Sequence, residues 1–316
     1  MNKKGIFFTF AAIALATIII LSFNVYNDYR LKDKMEVIEI RVTTMNDFVK
    51  DLENDIGNAI FISGFRSLLS MEDYMMTYKQ FFNELGAPTS SAAFSDAFLK
   101  GTINSPSELT DRMSLMENNT FINWTERMKV EANKTDISLE FNIDSVTIGQ
   151  SEPWMVDVTV QLDIVVRDKK NTASWIINNK DYIKKINISG FIDPLYLVNN
   201  DGLVNNSITI TTVPNFDDED DLNLHLINSY YIEHSDAPTY LMRFENDLGA
   251  SSNGIESLVN VQEIIDVGGA TTSRSVVDYI YFGSGSVTDC KVKTPSYDWF
   301  RLDTATHIDF YNAECD

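Results

Sequence analysis

The chain has 316 residues, with 25 Lys and Arg against 46 Asp and Glu for a formal net charge of −21, and 44% of its residues are hydrophobic. That apolar fraction can bury a core, which excludes global disorder, and the length suits one or two domains beyond any targeting segment. An anionic surface repels nucleic-acid phosphates, so no nucleic-acid partner is expected.

From Ile6 to Phe23 runs IFFTFAAIALATIIILSF, free of charge, and residues 24–27 continue it uncharged to Asp28. About 20 apolar residues cross a bilayer core of roughly 30 Å as a helix. Lys3 and Lys4 precede the run, and basic flanks stay in the cytoplasm, so the bulk of the chain is expected outside. A secretory signal peptide would be shorter and followed by a small-x-small cleavage site, which Ser22-Phe23-Asn24-Val25-Tyr26 does not offer. A plain signal anchor fits the segment without further assumptions.

A third reading comes from Lys3-Lys4-Gly5 ahead of the apolar run. This arrangement resembles the class III signal of archaeal pilins and type IV pilin-like proteins. The resemblance covers about the first 25 residues and implies cleavage between Gly5 and Ile6. The apolar segment would then remain as the start of a long helix that anchors the subunit or packs against other pilin-like subunits. Bacterial type IV pilins carry a Glu at the fifth mature position, where this chain has Phe10; archaeal members often lack it.

Beyond the membrane segment the helix is expected to continue. Met35, Val42, Val49 and Ile56 at a, with Ile38, Met45, Leu52 and Ala59 at d, sustain an apolar 3-4 alternation for about four heptads. The preferred use of this seam is packing on the chain's own sheet; a parallel dimer is the other. Helical character runs to Phe81-Phe82 and should break at Gly86-Ala87-Pro88. Ser90-Ser91 is expected to cap a helix through Leu99, Ser105-Pro106-Ser107-Glu108 to start another reaching Met116, and residues 121–130 to be helical.

At about Ile137 the period changes to two. Strands are expected over 138–144, 155–164, 172–177 and 182–191, with turns at Asp168-Lys169-Lys170 and Asn178-Asn179-Lys180. Past a turn at Asn199-Asn200-Asp201-Gly202, the expectations are a strand over 207–212, an acidic loop over 215–221, a helix or strand over 222–231, and strands at 240–244, 255–261 and 276–282.

Chemistry-bearing motifs are sparse. Five Asn-x-Ser/Thr sequons, at Asn118, Asn123, Asn133, Asn187 and Asn205, are candidate N-glycosylation sites, Asn205 before Asn187. Cys290 and Cys315 are a candidate disulfide, worth about 3 kcal/mol on the loop-entropy account. The run Asp217–Asp221 fails as an EF-hand because its sixth position is Leu222 and its twelfth Asn228. His225, His234 and His307 have no His-Glu-x-x-His spacing. Asp303, His307 and Asp309 could converge as a metal or acid-base group, but a structural His is the preferred reading. Gly283-Ser284-Gly285 is no nucleophile elbow. The aromatics at 230–231 and 279–282 suit strand cores.

The expected fold is α+β: a basic cytoplasmic leader at 1–5, a transmembrane helix at 6–26, a mainly helical stalk with packing helices at 27–136, an antiparallel sheet at 137–192 and a C-terminal α+β unit at 193–316. A long helix followed by a meander is the layer order of pilin-like subunits. The expected role is structural or adhesive at the cell surface, with the lipid bilayer as partner and no catalytic residue, metal or cofactor. An anchored ligand-binding or sensor ectodomain is the alternative.

Overall fold

The computed structural model describes residues 3–84, 89–104, 110–213 and 215–316. The fold mixes long helices with antiparallel sheets, as the α+β reading expects. Helix α1 spans Lys3–Tyr78 without interruption. It is long and apolar enough at its N-terminal end to be a membrane span or a signal sequence. Its buried residues Met45, Val49, Leu52, Ile56, Ala59 and Ile60 fall at helical spacing. Val42 is half-buried, whereas Met35 is 70% exposed and Ile38 is 49% exposed. The heptad seam is therefore taken up by the chain's own core only from Val42 onward. Lys79 ends the helix at φ 54°, its N–H returning to the Met75 carbonyl. The expected break at Gly86-Ala87-Pro88 lies outside the described residues.

Helix α2 covers Ser90–Lys100. Its cap is Thr89, one residue before the expected Ser90, with the hydroxyl accepting the Ala92 N–H. Gly101 closes it at φ 71°, a left-handed conformation that favours glycine. The helix expected from Ser105 to Met116 is corrected at its C-terminal end. Strand β2, Thr110–Arg112, pairs antiparallel with β1, Thr102–Asn104, and Ser114–Met116 forms a single 3-10 turn. The start at Ser105–Glu108 lies outside the described residues. Helix α3, Phe121–Lys134, begins where the Thr120 hydroxyl accepts the Asn123 N–H.

Strands β3 (Ile137–Glu152), β4 (Met155–Asp168) and β5 (Ser174–Asn187) lie in sequential order. Only Pro153 and Trp154 separate β3 from β4, a connection that forces antiparallel pairing. Every second residue of β4 is buried from Val156 to Asp168, as a central strand with one covered face requires. The turn expected at Asn178-Asn179-Lys180 is not one, and two expected strands are a single β5. Asn179 has φ 49° and gives its N–H to the Asp163 carboxylate 2.8 Å away, so the polar cluster makes a local irregularity that the strand passes through.

Downstream come α4 (Pro194–Asn199), α5 (Glu219–Ile227), β6 (Tyr231–Glu233), α6 (Tyr240–Arg243), β7 (Ile255–Ser257), α7 (Val261–Asp266), α8 (Asp278–Tyr281), β8 (Asp289–Lys291), β9 (Arg301–Asp303) and α9 (His307–Phe310). Strand expectations here are corrected in three places. Residues 207–212 make only isolated bridges, Ile192 to Ser207 and Ile210 to Tyr231. Tyr240–Arg243 is helical because the Thr239 hydroxyl caps the Met242 N–H, and Tyr240, Arg243 and Phe244 then bury one face. Asp278–Tyr281 is also helical, without a side-chain cap at Val277, and its first residue, Asp278, turns its carboxylate back to accept the Tyr279 N–H. The acidic loop is also corrected in part: Asp218 caps α5 by accepting the Asp221 N–H, and Glu219, Asp220 and Asp221 occupy its first turn, where the helix dipole favours negative charge.

The chain forms two compact units. One contains Met1–Asp55, Lys129–Glu140 and Ile164–Ile176, the other Ile56–Met128, Phe141–Asp163 and Ile177–Asp316. In the first, Met45, Val49, Leu52, Ala132, Ile137, Leu139, Ile164 and Val166 are buried. Arg41 is its polar tie, donating to Asp168 Oδ1 at 3.0 Å and to the Thr135 and Asp136 carbonyls that follow α3. A hydrogen bond from Thr172, together with Arg41, overcomes burial and holds the Asp168 carboxyl down at about 2.

In the second unit, Phe94, Phe98, Phe121, Trp124 and Phe141 form a continuous run of ring contacts. A further core gathers Tyr196, Leu222, Leu226, Leu258, Val276, Phe300, Leu302 and Tyr311. Cys290 and Cys315 form a disulfide with Cα atoms 5.7 Å apart, and Lys293 N–H to Glu314 carbonyl pairs the same two segments.

Helix–sheet approach in this unit depends on Gly64, where a Cβ would lie 2.9 Å from Ile186 Cδ1 and 3.2 Å from Val158 Cγ2. At Gly57 the obstruction is the flexible end of Lys184. Gly64→Leu is expected to cost about 1–3 kcal/mol of stability through overpacking, and Gly57→Ala far less, as read by denaturant unfolding of the detergent-solubilised chain.

Candidate functional site

The candidate residues on the surface are spread over the fold. Asn118, Asn133, Asn187 and Asn205 are exposed, while Asn123 is half-buried with its Oδ1 accepting the Thr120 hydroxyl. Gly5 and Ile6 lie within α1, and their side chains fall outside the described ones. His225 is fully buried, its Nδ1 3.2 Å from the Thr211 hydroxyl and its ring edge-on to Phe216. Burial pushes it down to about 3, so it is a neutral core residue.

Two buried polar clusters meet at strand β7. The first is centred on Arg243, which has no solvent exposure. Its Nη1 lies 2.5 Å from Asp193 Oδ2 and 2.8 Å from Asp278 Oδ2, and its Nη2 donates to the Ile255 carbonyl. Asp193 also accepts the Leu195 N–H and the Tyr231 hydroxyl, and Asp278 accepts both the N–H and the hydroxyl of Ser257. Burial works against the guanidinium charge, but the two carboxylates outweigh it and hold Arg243 protonated. Asp193 is raised by its burial. One residue before it, the Ile192 N–H donates to Glu72 of α1, which also accepts the Tyr240 hydroxyl at 2.8 Å. Burial pushes Glu72 up to about 8 despite those bonds.

The second cluster contains the other two histidines. Alternation along β7 sends Glu256 to the face opposite Ser257. Ile232 is the residue paired with Glu256 across the ribbon, so His234, two residues past Ile232, shares its face as a diagonal neighbour. Gly254 makes this close approach possible: a Cβ there would lie 2.5 Å from the His234 carbonyl oxygen and closer still to that of Ala237. His307 opens α9, after the short connection from β9 that ends in Asp303.

The resulting distances are short. Glu256 Oε2 is 3.0 Å from His307 Nε2 and 3.4 Å from His234 Nδ1. Its Oε1 accepts the Tyr311 hydroxyl at 2.7 Å. Asp303 Oδ1 is 2.6 Å from His307 Nδ1 and also accepts the Ser275 hydroxyl. The Tyr279 hydroxyl approaches His307 Nε2 at 3.4 Å. His307 loses ground to burial but is raised to about 10 by its bonds to Asp303 and Glu256, and Asp303 is lowered by the same pairing.

Of the expected trio, the structure brings Asp303 and His307 together and leaves Asp309 exposed. Two residues along a helix from His307, Asp309 faces away. His234, Glu256, Tyr279 and Tyr311 complete the cluster and were not legible from spacing. One signal did exist: Glu256 is a lone charge inside the apolar run Ile255–Val259, and a charge there needs a buried partner.

Two outcomes test the electrostatics. A carboxyl whose pKa rises from 4.5 to about 8 on folding adds stability below pH 4.5 that is lost as pH climbs through 8. Glu72→Gln is therefore expected to match wild type in melting temperature at pH 4 and to exceed it at pH 8. Arg243→Met, which leaves Asp193 and Asp278 facing each other without a cation, is expected to cost about 3–5 kcal/mol in chemical denaturation. No family model, curated protein or solved structure matches the chain.

Proposed function

We propose that this chain is a single-pass, membrane-anchored, pilin-like surface protein of the archaeal kind, with its bulk outside the membrane and a structural or adhesive role, in the form of a minor filament subunit. The observation that carries the reading is the change of environment along α1. Ile13, Leu15, Ile18, Leu21 and Phe23 are 58–65% exposed, while Met45 and Ile56 on the same helix have no exposure at all. A continuous helix that is exposed and apolar at one end and core-forming at the other suits anchoring in lipid at the first end and carrying a folded body at the second. Exposed apolar residues continue past the span through Leu31, Val37 and Ile40, which leaves surface for other subunits. An acidic exterior with four exposed sequons suits a glycan-bearing ectodomain.

An anchored ligand-binding ectodomain is the second reading, favoured by the buried cluster of His234, Glu256 and His307 at β7.

Intact mass and N-terminal sequencing of membrane-extracted native protein separate the two. A mature chain beginning at Ile6 is the expected result, together with loss of processing in Gly5→Leu. An intact Met1 would move the function to the plain anchored domain, and a start beyond residue 23 would overturn membrane anchoring altogether.

A further inference from the structure

We propose that His234, Glu256 and His307 form a binding site for one divalent transition metal ion, of which zinc is the best fit. Three potential ligand atoms, His234 Nδ1, Glu256 Oε2 and His307 Nε2, all lie within 4.8 Å of one another. The two separations that involve Glu256, 3.0 and 3.4 Å, bracket the edge of about 3.3 Å that a tetrahedron with metal–ligand bonds of 2.0–2.1 Å would have.

The hydrogen-bond pattern gives these atoms the right polarity. The Asp236 N–H points at His234 Nδ1 from 3.3 Å, so that nitrogen presents a lone pair. Asp303 takes the other nitrogen of His307, Nδ1, so Nε2 can offer a lone pair to an ion once the ion displaces the proton that bridges Nε2 to Glu256 in the metal-free protein. Two imidazole nitrogens and one carboxylate oxygen thus converge on one small volume, where a metal ion can take the place of that proton. A carboxylate behind a ligating imidazole is the usual device for fixing its tautomer and raising its basicity. Tyr311, donating to Glu256 Oε1, fixes the carboxylate so that Oε2 faces the two imidazoles. On binding, His234 gives up its long contact with Asp236.

Donor chemistry narrows the ion. Two imidazoles and a carboxylate suit zinc and its first-row neighbours and are poor for calcium or magnesium, which take oxygen ligands and more of them. Aromatic rings crowd the site: Phe310 lies edge-on to His234 at 4.5 Å between centroids, and Tyr279 is edge-on to His307. That leaves room for four ligands, the fourth being a water or the Tyr279 hydroxyl. The ion would tie the β6–β7 ribbon, through His234 and Glu256, to α9, through His307.

The test uses the full chain, solubilised in detergent, produced with a tag free of histidine, stripped with chelator and titrated with Co2+ and then Zn2+. Wild type is expected to bind one equivalent of Co2+ with visible absorption of tetrahedral intensity, to exchange it for Zn2+, and to melt several degrees higher with metal than without. His234→Ala is expected to melt as metal-free wild type does and to bind more than about 100-fold more weakly, and Asp303→Asn to lose about 10–100-fold. Absence of Co2+ absorption in wild type, or binding unchanged in His234→Ala and His307→Asn, would overturn the site. Should His234→Ala fail to fold, wild-type absorption with a weakened Asp303→Asn supports the proposal, and an unweakened Asp303→Asn overturns it.

Discussion

A guanidinium sealed from water must be neutralised where it stands, and the second unit is organised around that requirement. Arg243 draws Asp193 from the start of α4, Asp278 from the start of α8 and the Ile255 carbonyl from β7. The two carboxylates are then committed to further donors, Asp193 to Tyr231 and Leu195 and Asp278 to Ser257. One charge thus fixes the mutual placement of four elements that have few residues of regular structure of their own. Two carboxylates against one cation leave an excess of negative charge, which the hydroxyl and amide donors offset. Breaking such a pair costs more than forming it returns, because the remaining charge is stranded in a medium of low polarity. The cluster therefore acts as a specification of geometry more than as a source of net stability.

Helix α1 connects to this arrangement through Glu72. Its carboxyl holds the Ile192 N–H, next to Asp193, and the Tyr240 hydroxyl at the start of α6. The same helix is apolar and exposed over Ile13–Phe23 and buries one stripe from Met45 onward. A single secondary-structure element thus carries an exposed apolar end and a core-forming end.

The helical seam, the two hydrophobic periods and their switch near Ile137 were legible because periodicity is a local property. The seam's partner was not, and Met35 and Ile38 remain exposed where Met45 and Leu52 are buried. Strand expectations failed at Tyr240–Arg243 and Asp278–Tyr281 for a physical reason. Short apolar runs do not carry enough residues to show a period, and local contacts, the Thr239 cap of α6 and the buried ion pair that holds Asp278 at the start of α8, decide between a turn of helix and an extended segment. At the histidine cluster, the convergence of Asp303 and His307 was readable because the two lie close together in sequence. Glu256 and His234 come from a ribbon far away in sequence, and only the register of β6 against β7 brings them into reach.

Strand β7 is three residues long, yet it faces two incompatible environments. Glu256 belongs among imidazoles, and Ser257 belongs beside a carboxylate that is already paired with arginine. A slip of one residue against β6 would turn each to the opposite face, setting the Glu256 carboxylate against Asp278 in one direction or the Ser257 hydroxyl among the histidines in the other. Hydrophobic strands of this length slide easily, since one aliphatic side chain replaces another at little cost. Here the alternation of charge and hydroxyl works as a key cut on both edges, so a misthreaded ribbon is rejected by electrostatics before packing is ever tested.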